Sequence, residues 1–278
     1  MMAELWEPFT YEFFRNGLLV ATLAGALCGM IGTFVVLRNM SYIGHGLSHA
    51  VFGGAAASAL MGVSFYVGAG VWGLVTALAI ARVSRRGRLG ADSIIGVVTT
   101  ASFAFGVVLL NLFGTTRRSI DAVLFGSILG ITTLDVLGVL AVAVASAAVV
   151  FFGYRTLVFS TFDPEVAEAS GIRTGRADAL LMAVIAVAVL TTMGVLGVVL
   201  VSAALVIPAA TARLMTDRFS RMLVISAVLG GLTGAVGMVL SYHLDVASGA
   251  AIVLVAAGCF AVAYLARART ARTIRPTS

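Results

Sequence analysis

Nine apolar runs of roughly membrane-spanning length follow one another with little between them, and such a chain has few ways to fold in water. They fall at 16–37, 46–64, 65–82, 93–113, 133–153, 178–197, 198–215, 222–242 and 249–266. Charged residues make up 11% of the 278 and hydrophobic residues 60%, where a soluble domain carries about a quarter charged. The expectation is an all-α polytopic membrane bundle, one transmembrane domain over 1–278. Read as one helix, 178–215 would leave eight spans. It is too long for a single crossing, and Gly194 and Gly197 offer a turn, so two short helices are expected.

The basic residues set an orientation. All eighteen are arginine. With the N-terminus outside, nine spans leave only Arg15, Arg117 and Arg118 on the outer side, and the reverse orientation inverts that ratio. The expected topology is N-out and C-in, with a basic cytoplasmic tail at 267–278. Residues 1–15 lack the basic start of a secretory signal and carry Trp6, Phe9, Tyr11, Phe13 and Phe14, which suit an interfacial segment. The absence of lysine excludes a P-loop and a Schiff base, so ATP is not bound in the usual way. Basic clusters with interleaved exposed aromatics are missing, which excludes a nucleic-acid surface. Cys28 and Cys259 lie in apolar spans without a partner at metal-ligand spacing, and are expected as buried free thiols. The stretch 119–131 is too short to cross and reads as a re-entrant or interfacial helix capped by Ser119 or Asp121.

Three places can carry chemistry. His45 and His49 stand four residues apart at the mouth of the second run, so both imidazoles share a helix face and can reach one cation. A polar interfacial anchor would use the same pair, but ionisable groups at a membrane span default to function. His243 and Asp245, expected at the outer surface, can greet an arriving cation or simply be solvated. In the loop 154–177, Asp163 can cap a helix over about 164–170 with Pro164 at its first position, Glu165 in the first turn and Gly171 ending it. Its small residues, Ala167, Ala169 and Ser170, and its acids, Glu165 and Glu168, suit a groove on a partner protein. Pro208 interrupts the run before Arg213 and predicts a kink.

Taken in order, five tracts resemble the permease subunit of the zinc/manganese/iron ABC importers, the ABC-3 family. They are Val36–Ala50 with its His45 and His49, Leu124–Leu129, Asp163–Gly171, Val201–Arg213 and Asp245 to Gly249. The resemblance runs from about Pro8 to Ala266. It implies a homodimer in a bacterial inner membrane, a separate cytoplasmic ATPase on each copy, and an external binding protein that delivers the metal. It makes 163–171 a coupling helix seated on the ATPase, and 45–49 the place for a metal contact, with His243 or Asp245 as further candidates. No cofactor is bound permanently; the metal is cargo. This chain departs from the family where His45 replaces the usual Asp, and where Gly53 and Ala247 replace Pro. Two neutral imidazoles suit zinc better than manganese, which prefers carboxylate oxygens, so zinc is the expected cargo, with manganese, ferrous iron or an iron–siderophore as the alternative in the same architecture and a secondary transporter behind them. Losing the two prolines is expected to leave local helix ends less rigid.

Overall fold

In lipid a backbone must satisfy its own hydrogen bonds, and among the described residues it does so with helices alone. The computed structural model describes residues 7–61, 65–84, 91–113, 131–197 and 200–273. A 3-10 turn at Glu7–Thr10 leads into α1 (Glu12–Leu37), α2 (Ile43–Met61), α3 (Phe65–Ser84) and α4 (Ala91–Phe113). Then come α5 (Thr133–Phe152), α6 (Tyr154–Phe162), α7 (Pro164–Ala169), α8 (Thr174–Leu196), α9 (Val201–Met215), α10 (Phe219–Leu244) and α11 (Ser248–Thr273).

Each expected run coincides with a helix. Seven are long and apolar enough to cross a membrane: α1, α3, α4, α5, α8, α10 and α11. At 15 residues α9 is shorter, and the first turns of α2 carry His45, Ser48 and His49. Leu196 ends α8 at Gly197, whose φ of +79° only glycine adopts without strain, so 178–215 does form two helices. Residues 119–130 of the expected helix at 119–131 lie outside the described residues. So do residues 274–278, the end of the basic tail, whose earlier part continues α11.

α1 is the axis of the bundle. Phe14, Val20, Leu27, Ile31 and Phe34 are wholly buried along it. Its closest partner is α10, which runs antiparallel. Ala21, Gly25 and Gly29 meet Gly234, Gly230 and Ser226 in turn, so near that a β-carbon on Gly25 would overlap the Gly230 carbonyl. Ser226 Oγ donates to the Gly29 carbonyl at 2.5 Å. Lipid offers no hydrophobic drive between helices, so close van der Waals approach and such bonds hold the seam. Further along the same ridge of α1, Gly32 rests on the Leu205 backbone of α9.

The segment α2–α4 forms a second tight unit. Gly54 and Gly68 let α2 and α3 touch, and Gly53 packs on Gly106 and the Ser102 carbonyl of α4. Trp72 Nε1 donates to Ser102 Oγ at 2.6 Å. Gly53 therefore stands in mid-helix at a crossing, where a β-carbon would sit 2.6 Å from the Ser102 oxygen. Its small size serves contact rather than slackness at a helix end. Ala247, in contrast, lies exposed in the turn between α10 and α11.

Candidate functional site

The structure brings His45 and His49 together. Both fall in the first two turns of α2 and both are half-buried, with ring centroids 4.4 Å apart at 73°. Two imidazoles ligating one ion through nitrogens about 2.1 Å from it have centroids about 5 Å apart, so a small ring rotation suffices. The pair has walls. Tyr42 stands 6.1 Å from the His45 ring and Phe103 of α4 stands 5.1 Å from the His49 ring, each edge-on. Gly44, one residue earlier, packs on Ser202 and Leu205 of α9, and Gly46 on Ile95 and Thr99 of α4. The histidine face of α2 thus opens between α4 and α9. Among the described residues no group of three or more His, Cys, Asp or Glu side chains could hold a metal ion, so the pair supplies two ligands and no more.

His243 and Asp245 belong elsewhere. Both are exposed at the end of α10, where Tyr242 packs on Phe14 at 5.2 Å. Gly32, Leu205 and Gly44 lie in successive contact. Phe14 lies eighteen residues before Gly32 on α1, and so about 27 Å along the axis at 1.5 Å per residue. The two histidine groups therefore occupy different levels. Asp245 caps α10 with φ of +52°, a left-handed conformation that explains its place independently of any cation.

The expected loop helix is α7. Asp163 accepts from the Val166 amide at 2.9 Å, Pro164 occupies the first position and Glu165 the first turn. Gly171, with φ of +81°, ends it, and the Ile172 amide returns to the Ala167 carbonyl at 3.0 Å. Ala167 is buried; Glu165, Val166, Glu168 and Ala169 are exposed. A helix not expected from the sequence, α6, precedes it and extends the structured part of the 154–177 segment. Pro208 is buried within α9, where its missing N–H leaves the Ala204 carbonyl without its usual donor.

Sequence reasoning missed one constellation. Arg38 Nη1 pairs with Asp178 of α8 at 2.6 Å, and its Nε donates to Thr161 of α6 at 3.0 Å. These residues, with Pro164, Glu165 and Glu168, line a cavity of about 560 Å³ behind α7. The signal was present: the arginine count placed Arg38 and the start of the 178–197 run at one end of the bundle, where opposite charges find each other.

Residues 10–267 match the ABC 3 transport family. The chain is 39% identical to the manganese transport system membrane protein MntC of Halalkalibacterium halodurans, covering 93% of this chain and 88% of that one. It is 33% identical to the chelated iron transport system membrane protein YfeC of Yersinia pestis, over 91% of this chain and 86% of the relative. PsaBC from Streptococcus pneumoniae, solved in complex with Fab, superposes with a TM-score of 0.83 at 30% identity, covering 95% of each chain. An inward-facing, putative metal-chelate type ABC transporter shares the fold alone, with a TM-score of 0.69 at 17% identity over 90% of this chain and 85% of that one. With that extent of match, the helices and the loop between α6 and α8 place this chain in the ABC 3 transport family.

Proposed function

We propose that this chain forms the path of a binding-protein-dependent ABC importer for a divalent first-row metal, with His45 and His49 as the transient contact for the ion. The permease role itself follows from family membership; an ATPase on a separate chain and a binding protein complete such an importer. The observation that carries the finer reading is the half-buried imidazole pair, 4.4 Å apart, on the face between α4 and α9. A face left open in one copy suits a cavity shared by two, so the working unit is a homodimer. The arginine-rich end is cytoplasmic and the α10–α11 turn faces outward, with the chain N-out in a bacterial inner membrane. There α7 seats on the ATPase through Glu165, Val166, Glu168 and Ala169, and His243 and Asp245 stand at the entrance.

Kinship and ligand chemistry point to different ions. Relatives named for manganese, 39% and 33% identical, make manganese the first cargo to test. Zinc is the second reading, favoured by two imidazoles where the family commonly has Asp and His. In either case the ion enters from the binding protein, is held by the pair together with water, and leaves inward when ATP closes the partner subunits. Weak, exchangeable ligation is what passage requires.

Uptake of ⁵⁴Mn and ⁶⁵Zn in liposomes holding the permease, its ATPase and the binding protein tests both readings. The expected result is ATP-dependent uptake that falls by about tenfold or more in His49→Ala. The ratio of manganese to zinc should also rise in His45→Asp, which restores a carboxylate oxygen. Uptake and ratio both unchanged in the variants would remove the pair from the path.

A further inference from the structure

Among the described residues, Arg38 stands apart from the other arginines at its end of the bundle. Arg155, Arg173, Arg176, Arg213 and Arg221 are exposed, as residues that orient a membrane protein need only be. The Arg38 side chain is only 11% accessible. Its Nη1 and Nε are bound to Asp178 and Thr161, and its Nη2 is buried with no hydrogen-bond partner among the described residues. Withdrawing a guanidinium from water is costly, and a buried ion pair roughly breaks even with apolar side chains of the same shape. Stability does not account for this residue.

Its position does. Arg38 caps α1 and opens the turn that delivers His45. Asn39 adopts φ of +53°, and the Met40 amide returns to the Val35 carbonyl at 3.0 Å, so the stop of α1 is fixed. Met40 and Ile43 are buried, which pins the rest of the turn. On its other side, Arg38 holds the last turn of α6 and the second turn of α8, the two roots of α7.

We infer that Arg38 is a positioning residue, a strut by which displacement of α7 moves the turn leading into α2, and with it His45 and His49. This rests on the importer reading above. The cavity of about 560 Å³ between Arg38 and α7 gives that helix room to move inward.

The test uses the reconstituted permease, ATPase and binding protein, with metal accumulated and ATP hydrolysed measured in the same liposomes. Wild-type uptake tests the importer reading by itself; the variants test the strut. Arg38→Gln and Asp178→Asn are expected to lower metal moved per ATP by about tenfold, with the ATPase still bound in wild-type amount. Arg38→Lys keeps a charge facing Asp178 and should recover most of the ratio. Thr161→Val removes one bond while sparing the ion pair, and should give an intermediate loss even where Arg38→Gln fails to assemble. An unchanged ratio, or uptake that falls only in step with the amount of assembled complex, overturns the proposal.

Discussion

A single methyl group at Gly25 tests whether close approach holds the bundle. A β-carbon there would lie 2.8 Å from the Gly230 carbonyl carbon and 3.4 Å from the Gly231 nitrogen. Carbon atoms rest about 3.5–4.0 Å apart, so α1 and α10 would have to part by about 1 Å. Overpacking of this kind costs about 1–3 kcal/mol, while alanine's better helix propensity returns about 1 kcal/mol. The parting is not confined to one level. Gly29 against Ser226 and Gly234 against Ala21 share the seam, and the 2.5 Å bond from Ser226 to Gly29 stretches with it. The upper half of the range is therefore expected for Gly25→Ala, a net loss of about 1–2 kcal/mol and a fall in melting temperature of about 2–8 °C. Gly138→Ala in α5, where a β-carbon meets nothing within 4 Å, is the control. It should be neutral or stabilising by up to about 1 kcal/mol. Thermal unfolding of the detergent-solubilised chain, followed by tryptophan fluorescence, reads both. Gly25→Ala melting at or above wild type would refute the reasoning.

The remaining predictions concern α7 and the thiols. Asp163→Ala removes the cap bond to Val166 and should cost about 1 kcal/mol. Gly171→Ala meets no neighbour, so its cost of about 1–2 kcal/mol is the left-handed backbone alone. Both should speed amide exchange over 164–172 and lower metal uptake more than ATP hydrolysis; unchanged exchange would deny α7 its local caps. Cys28 is fully buried and Cys259 half-buried on a groove between α9, α10 and α11. Brief treatment with a membrane-permeant maleimide should therefore modify Cys259 alone by mass spectrometry, and modification of Cys28 would contradict the packing of α1.

What was legible in the sequence followed rules that act over a few residues. Apolar length marks a helix in lipid because the backbone must bond to itself, so every expected run has its helix. Glycine and the cap chemistry marked the ends, at Gly197, Asp163 and Gly171. The four-residue spacing of His45 and His49 fixed their meeting on α2. Tyr154–Phe162 falls within the expected loop 154–177, yet it forms α6, and no glycine or proline interrupts it. Pairing across distance was not legible. Arg38 and Asp178 are 140 residues apart. The Ala21, Gly25, Gly29 ridge shows its spacing but not that its mate is Ser226, Gly230, Gly234. His243 and Asp245 attracted notice as ligand types, yet only the course of α1 and α10 reveals their separation from the α2 pair.

The replacement at position 45 has a consequence for how an ion is held. A carboxylate there would draw a divalent cation by charge as well as ligation, and in a partly buried setting that attraction is strong. Two neutral imidazoles draw it by ligation alone. The described residues offer this pair no third His, Cys, Asp or Glu ligand, and water or a second copy can complete the shell. On the proposed path, two imidazoles would be too sparse to store a metal and sufficient to guide one already leaving its carrier. If the pair is the contact proposed, His45→Asp should change the ratio of ions transported more than the assembly of the complex.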